Sequence, residues 1–562
     1  MTILAVMALF IVRLFYLQVI KHDDYVALAN NEQLKRLEIP AQRGMIYSFD
    51  GGRPARLVMN ETVYTAFVDP ETVSEPDEII EVFRRVAGGN LRPKLRELIT
   101  AENSRYQIIA TKLSRKQAEM IKEEGLAGVG FQAITQRVYP EGRLASQVLG
   151  FVNAEGVGQY GVEGALNDKL SGEDGLLQSV TDVSNVPLTI GDRNINQPAR
   201  NGDNVVLTID RNVQAKTEQA LADGMKKSGA KEGSVIVMEP NTGRVLAMAN
   251  LPTYDPANYG KVADAADFMN DTVSVPYEAG SVIKAFTVAM GLDTGVITPS
   301  STYVNTNKIN IDGEIIGNAF KDRTGTITMQ EALNFSLNTG MVDIAQRLGG
   351  GSLNHKSRSI MYDYFHNRFA LGKTTGIEVA GEAAGTVIAP DKLEGNAVRY
   401  SNMAFGQGMD VTMVQVAAAL GAAINGGDYY RPTVLAGTMK GSKFSESSPE
   451  LVRSNVISQK ASNDLRSMME QARSDFYGPQ DRPGFKIGGK TGTSQTIRDG
   501  VYVDDQTIGT YLGYGGDDKP RYVIMVQVSG KDMNLEGGKH ANPIFTDISN
   551  WMIDYMKLRP KG

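Results

Sequence analysis

Three short spacings in this chain of 562 residues carry groups that could do chemistry. Ser281 precedes Lys284 by three positions in "YEAGSVIKAF", Ser336 precedes Asn338 by two in "ALNFSLNTG", and Lys490 opens "KTGTSQ", followed by Thr491, Gly492 and Thr493. A serine hydroxyl becomes a nucleophile only beside a base. Positions i and i+3 share a helix face, which brings Lys284 within reach of Ser281. Set among Val282, Ile283, Ala285 and Phe286, a lysine loses part of its preference for charge, and its neutral amine can accept the serine proton. Backbone N–H groups at a helix start favour an oxyanion. This chemistry requires no histidine. The chain has four, His22, His355, His366 and His540, and none stand at metal-ligand spacing. Cysteine is absent, which excludes disulfides and thiolate metal sites, and the reading includes no metal and no cofactor.

None of these spacings is specific alone. S-x-x-K recurs at Ser228 and Lys231, S-x-N at Ser352 and Asn354, and K-S-G at Lys227 to Gly229. Context separates the copies. Ser228 lies in the glycine-bounded helix end "GMKKSGAKEG" and Ser352 in the polar loop "GGGSLNHKS", whereas Ser281 opens an apolar helix, Ser336 lies between helical segments and Lys490 precedes two apolar strands. "GFKIGGKT" at 484–491 also fits the phosphate-binding pattern G-x-x-x-x-G-K-T. That pattern needs a strand before it and a helix after it, and "YGPQDRPG" and "TGTSQTIRDG" supply neither. No G-x-S-x-G supports a nucleophile elbow.

The elements that must position these groups can be outlined. "NVVLTID" reads as a strand leading into the helix "RNVQAKTEQALADGMKK"; "SVIVMEP" and "RVLAMAN" flank an Asn-Thr-Gly turn as a hairpin; "TIGTYLGYGG" and "RYVIMVQVSG" are two late strands; and Ile544, Phe545, Ile548, Trp551, Met552 and Tyr555 recur at helical spacing. Strands at both ends with helices between them predict one sheet assembled from distant segments and covered by helices. Before the Pro/Asn/Gly-rich stretch at 197–204, "NEQLKRLEIPAQRGMIYSFDGG" runs from a charged helix-like stretch to a turn at Asp50-Gly51-Gly52, "ETVYTAFVDP" alternates as a strand, "PDEIIEVFRRVAGG" and "LSRKQAEMIKEEGLAG" are helical and closed by glycine, and "GVEGALNDKLSGEDG" is one short helix. At the start, "TILAVMALFIVRLFYLQVI" offers about twenty mostly apolar residues, a span for one bilayer crossing interrupted only by Arg13. Domains are therefore expected at 1–21 (membrane helix), 22–200 (N-terminal non-catalytic) and 201–562 (catalytic). A net charge of −6 without a basic block argues against nucleic acid as partner.

The ordered set S-x-x-K, S-x-N, K-T-G is the signature of penicillin-recognising serine enzymes. The flanks "TGRVLAMANLPTYDPANY", "TGIEVAGEAAG", "MAFGQGMDVTMVQVAAALGAAINGG" and "GGKHANPIFTDI" resemble class B penicillin-binding proteins, and "RLFYLQVIKHDDY" and "RGMIYSF" resemble their membrane-proximal segment. The likeness extends over nearly the whole chain. "KLSRKQAEMIKEEGLAGVGFQ" and "RVYPEGRLASQVLGFVNAEG" are more similar to the division-specific than to the elongation branch. Ala279 stands where the family usually has proline, Ser48-Phe49 where it usually has Asp-Arg, and the family's short cytoplasmic tail is missing.

The resemblance implies a multidomain α+β protein: a transmembrane helix, an elongated pedestal domain for dimerisation, and a β-lactamase-like transpeptidase domain with a central antiparallel sheet covered by helices. It implies a D,D-transpeptidase of the plasma membrane, single-pass, its catalytic domain outside the cytoplasm, crosslinking peptidoglycan stem peptides during septal wall synthesis and trapped by β-lactams. A polytopic glycan polymerase and other division proteins are the implied partners. Ser281 would attack the carbonyl between the terminal D-alanines and Lys284 take its proton. Ser336 would relay a proton to the leaving amine, and Asn338 would hydrogen-bond substrate and Lys284. Lys490 would hold positive potential; Thr491, Gly492 and Thr493 would bind substrate, the two threonines its carboxylate; and the N–H groups of Ser281 and Thr493 would form the oxyanion hole. An elongation-type transpeptidase, a D,D-carboxypeptidase, a β-lactamase or a non-catalytic β-lactam sensor are the alternatives.

Overall fold

A computed structural model describes residues 2–23, 34–180, 195–498 and 501–560. The chain divides into two compact units, Met1–Gly44 with Asp168–Asp203, and Met45–Asn167 with Asn204–Gly562.

In the first unit the N-terminal apolar stretch is a helix, Thr2–Phe15, continued by a π-helical turn, Tyr16–Ile20, with apolar side chains such as Leu9, Phe10, Val12 and Ile20 exposed. No helix among the described residues is long and apolar enough to cross a membrane. The Arg13 guanidinium stacks 5.4 Å from the Tyr16 ring centroid. The sequence reading of "LKRLEI" as helix-like is corrected here. Leu34–Ile39 is a strand, paired antiparallel with Gly175–Val180, which also pairs with Ile195–Gln197. A partner about 140 residues away decides the matter, since strand formation depends on context more than local propensity does.

The second unit holds two larger sheets. One sheet, of seven strands, runs Lys443–Glu446, Leu435–Lys440, Asn204–Asp210, Ile46–Asp50, Arg53–Val68 and Gln107–Leu113, with Val129–Val138 also pairing Arg53–Val68. The helices Pro76–Val86 and Arg115–Glu123 cover its far end around Ile79, Phe83, Ile109 and Ile121. Ser114 and Gln117 start the second of these helices with a reciprocal capping box. "GVEGALNDKLSGEDG" forms two short helices, Gly161–Ala165 and Asn167–Ser171, rather than one.

The other sheet carries the site. Its five strands are antiparallel, in the order Val245–Leu251, Glu232–Met238, Pro520–Ser529, Val501–Gly516 and Lys486–Arg498. The expected assembly from distant segments is observed, except that Asn204–Asp210 lies in the seven-stranded sheet, parallel to Ile46–Asp50. The helices Arg211–Ser228 and Asn542–Tyr555 cover one face through Val213, Leu221, Phe545, Ile548 and Met552. Asp210 starts the first of them by accepting from the N–H groups of Asn212 and Val213. The other face receives Met413–Ile424, apolar on every side and buried throughout, and the helix Gln459–Tyr477. The nucleophile helix, Lys284–Asp293, packs against both and is itself buried from Lys284 to Gly291.

Candidate active site

The turn that presents Ser281 rests on glycine. Gly280 has φ +64°, a conformation L side chains rarely adopt, and its N–H donates to the Gly406 carbonyl at 3.0 Å. Gly280–Ile283 is a 3₁₀ turn that passes directly into the nucleophile helix. In a 3₁₀ turn, positions i and i+3 eclipse, so Lys284 follows Ser281 on one face. Ser281 is half-buried and, among the described residues, its hydroxyl has no hydrogen-bond partner. It stands available at the mouth of an otherwise buried helix.

Lys284 is completely buried, and its amine does not bond the Ser281 hydroxyl. Nζ instead donates to the Ser336 carbonyl at 2.6 Å, to Asn338 Oδ1 at 2.7 Å and to Ser336 Oγ at 3.1 Å. Burial first, and the charge of Lys490 second, hold its pKa well below the ordinary lysine value. The carbonyl and the amide oxygen can only accept. A neutral amine has two N–H groups to give them, and its lone pair remains to take a proton from a hydroxyl.

The S-x-N spacing has a local structural cause. The helix Met329–Asn334, started by a Thr328–Glu331 capping box, ends in a Schellman motif: the Ser336 N–H donates to the Leu333 carbonyl at 3.2 Å and the Leu337 N–H to the Ala332 carbonyl at 2.9 Å. The motif needs a left-handed residue, usually glycine. Here it is Ser336, at φ +56°. Leu337 then starts the next helix, Asn338–Leu348. One reversal thus turns both Ser336 oxygens and the Asn338 amide towards Lys284. A non-glycine residue in this region is worth about 1–3 kcal/mol of strain, held only where surroundings over-determine it.

Lys490, Thr491, Gly492 and Thr493 lie on Lys486–Arg498, the edge strand of the five-stranded sheet. Alternation buries Lys490 and leaves Thr491 half-buried and Thr493 exposed. A Cβ on Gly492 would stand 3.0 Å from the Ala279 carbonyl oxygen and 3.1 Å from Val282, so the glycine lets the edge strand meet the turn that carries Ser281. Lys490 Nζ donates to the Thr491 carbonyl at 3.0 Å and to Thr491 Oγ1 at 3.2 Å. Among the described residues it has no acidic partner, and burial pulls its pKa down to about 7. An anion placed beside it would meet an uncompensated cation. Thr493 Oγ1 accepts from the Gly537 N–H at 3.3 Å. A cavity of about 250 Å³ opens beside Ser336, Lys490 and Thr491, walled by Phe335, Phe476 and Tyr511.

The structure therefore brings all three motifs to one place and leaves their duplicates elsewhere. Ser228 Oγ bonds back to the Gly224 carbonyl at a helix end, and Asn354 caps the helix His355–Tyr362. The strand through Lys490 and Thr491 continues to Arg498 without the helix a phosphate loop requires. The described histidine contacts involve no residue of the three motifs: His366 meets the Leu371 carbonyl, His540 the Glu536 N–H and His355 Ser359.

Two supporting residues escaped the sequence reading. Arg473 is fully buried beneath the edge strand. Its Nε and Nη2 donate to the Asp481 carboxylate at 2.8 and 2.5 Å, and Nη1 donates to Asn542 Oδ1 at 2.9 Å and to the Tyr511 hydroxyl. Tyr511 is the cross-strand partner of Thr491. The signal was an arginine inside the apolar stripe Leu465, Met468, Met469, Ala472. Glu278, three positions before the serine, accepts from the Gly408 N–H at 2.6 Å and the Tyr502 hydroxyl at 2.9 Å. Nothing local in the sequence pairs it with Tyr502.

Comparison with known proteins agrees with this geometry. Residues 233–550 match the penicillin-binding protein transpeptidase domain, and residues 38–207 the penicillin-binding protein dimerisation domain. Penicillin-binding protein PbpB of Mycolicibacterium smegmatis is 30% identical across 98% of this chain and 89% of its own. Stage V sporulation protein D of Bacillus subtilis is 28% identical across 98% and 84%, and the peptidoglycan D,D-transpeptidase FtsI of Escherichia coli 27% identical across 99% and 91%. Penicillin-binding protein 3 of Mycobacterium tuberculosis, solved with aztreonam, superposes with a TM-score of 0.69 at 25% identity over 94% of this chain and 98% of that one. Penicillin-binding protein 2X of Streptococcus thermophilus shares the fold, at a TM-score of 0.76 and 22% identity over 93% of this chain and 80% of that one. The fold and the two matched domains define a penicillin-binding transpeptidase. The chain belongs to the class B penicillin-binding proteins, with a dimerisation domain followed by a transpeptidase domain.

Proposed function

We infer that this chain is a serine-type peptidoglycan D,D-transpeptidase in which Ser281 is the nucleophile and Lys284 the base. The observation that carries the reading is the buried Lys284 amine, held by the Ser336 carbonyl and Asn338 Oδ1 one turn after an unbonded serine hydroxyl. Ser281 Oγ attacks the carbonyl between the two terminal D-alanines while its proton passes to Lys284. The N–H groups of Ser281 and Thr493 take up the charge on the carbonyl oxygen. The amide C–N bond then breaks: the Ser336 hydroxyl passes its proton to the departing D-alanine nitrogen and takes in its place the proton held by Lys284, which leaves that amine neutral again. The acyl-enzyme ester is opened by an amine from a neighbouring stem peptide, and the proton it loses returns to Ser281 through Lys284.

The donor peptide binds extended along the Lys486–Arg498 edge, whose outer side has no neighbouring strand among the described residues. Its carboxylate rests on Thr491 and Thr493 next to Lys490, with Gly492 giving the strand room to approach. β-Lactams imitate this donor and acylate Ser281.

The apolar stretch from Thr2 to Ile20 anchors the enzyme in the plasma membrane, with the catalytic domain outside the cytoplasm. Support comes from its continuous helical course and its exposed apolar side chains. Septal wall synthesis beside a polytopic glycan polymerase is the accompanying reading, from the likeness of residues 112–132 and 137–156 to division-type relatives.

Incubating the full chain with a labelled stem pentapeptide and an acceptor amine, and weighing the products, tests the proposal. A crosslinked product that is lost in Ser281→Ala supports it. Release of D-alanine with only water as acceptor would make the enzyme a carboxypeptidase.

A further inference from the structure

With Lys284 as the base proposed above, the orientation of the Asn338 amide decides how that amine is held. An asparagine amide has two ends, and only Oδ1 can accept from the Lys284 amine. Turned over, it would set N–H groups against N–H groups. What fixes the orientation is the Gly317 carbonyl, an acceptor alone, which takes a hydrogen bond from Asn338 Nδ2 at 2.8 Å. Gly317 ends the strand Glu314–Gly317, half of a small hairpin with Lys308–Ile311 whose Ile315 is exposed. A hairpin of two short strands is marginal by itself, so something must hold its end against the Asn338 helix.

That tie is Asn318, buried at 3% exposure between Asn305 and Thr339. Its N–H donates to the Asn307 carbonyl at 3.0 Å. Its Oδ1 accepts from the Thr339 N–H at 3.0 Å, and its Nδ2 donates to Asn305 Oδ1 and to Thr339 Oγ1, both at 3.1 Å. Thr339 Oγ1 in turn donates to Asn305 Oδ1 at 2.9 Å. The first N–H groups of a helix lack intrahelical partners, and the residue before this helix, Leu337, has no side-chain acceptor. Asn318 supplies the missing acceptor from about twenty residues upstream. The dipeptide Gly317–Asn318 therefore grips two successive residues, the side chain of Asn338 and the backbone of Thr339.

We propose that Asn318 is a positioning residue of the transpeptidase site: by locking the Gly317 carbonyl beneath Asn338 it selects the amide orientation that holds the Lys284 amine in place for Ser281. Asn318 touches neither substrate nor lysine and acts only through Asn338.

A double-mutant cycle tests this on the full chain, with a chromogenic cephalosporin as acylating probe and stopped-flow separation of binding from acylation. Asn318→Ala should slow acylation about three- to tenfold, as for loss of one hydrogen bond between neutral groups, with pre-equilibrium binding changed less than about twofold. In an Asn338→Ala background the same substitution should add nothing, and Ile315→Ala on the exposed hairpin should leave both steps alone. If Asn318→Ala does not fold, Thr339→Ala keeps the backbone bonds, removes the hydroxyl tie and runs the same cycle. Multiplying losses in the double variant, or acylation by Asn318→Ala at the wild-type rate, would overturn the proposal while leaving the assignment of Lys284 intact. Wild-type acylation by Asn338→Ala would instead remove the role given to Asn338 itself, and with it the premise.

Discussion

Lys284 Nζ and Asn338 Oδ1 lie 2.7 Å apart across 54 residues of sequence. The contact joins the end of the 3₁₀ turn that carries Ser281 to the first residue of the helix after the Ser336 reversal. It replaces the ion pair a buried lysine would otherwise need with neutral acceptors, which suits the role of base proposed for Lys284.

Lys284→Ala should slow acylation by a fluorescent penicillin at least about a hundredfold, within the range of general-base contributions. Lys227→Ala and Lys231→Ala, from the duplicate motifs, should stay within about twofold, as for surface changes remote from a site. Stopped-flow acylation rates decide both. A Lys284→Ala rate near that of the wild type removes this residue as the base.

The pH profile should have two limbs. A base must be neutral, so acylation is lost as pH falls through the depressed pKa of Lys284. The charge on Lys490, which attracts the carboxylate of the β-lactam, is present below its pKa of about 7 and lost above it. For kcat/KM, which reports the free enzyme, the alkaline limb should fall near this value and move upward in Lys490→Arg, because arginine keeps its charge. An alkaline limb unchanged by Lys490→Arg would contradict the assignment.

Ser336 holds a left-handed backbone that glycine adopts freely. Ser336→Gly should be about 1 kcal/mol more stable than Ser336→Ala in chemical denaturation, since only the first relieves the strain. Both should acylate slowly. A Ser336→Ala variant at least as stable as Ser336→Gly would mean the reversal stores no strain.

Arg473 and Asp481 form a buried pair behind the edge strand. Arg473→Met should lower stability by about 3–5 kcal/mol, because it leaves Asp481 uncompensated. Arg473→Met combined with Asp481→Leu should recover a large part of that loss. Equal destabilisation of the single and double variants in denaturant titrations would place the loss in Tyr511 and Asn542 instead.

Much of the site was legible because its signals are local. An apolar run after Ser281 and the stripe from Ile544 to Tyr555 each constrain an element from its own residues, whereas the glycine-rich strand through Lys490 carries too little apolar alternation to be read as one. The pieces that stayed hidden depend on distant partners. Leu34–Ile39 is a strand only because Gly175–Val180 lies beside it. Asn204–Asp210 reads as a strand but does not say which of two sheets it joins. The left-handed turn at Ser336 has no glycine to announce it, and Asn318 looks like any hairpin-end asparagine until Thr339 is beside it. Lys284 was legible as a buried lysine beside Ser281 but not in its bonding, since its partners come from Ser336 and Asn338 and not from Ser281.

The central claim is that Ser281 is the acylated nucleophile. Intact-mass measurement and peptide mapping after a short exposure to a penicillin test it most directly. The account predicts one covalent adduct per chain, on the peptide containing Ser281, and none in a folded Ser281→Ala variant. An adduct of wild-type yield in Ser281→Ala, or one mapped to another residue, would contradict it.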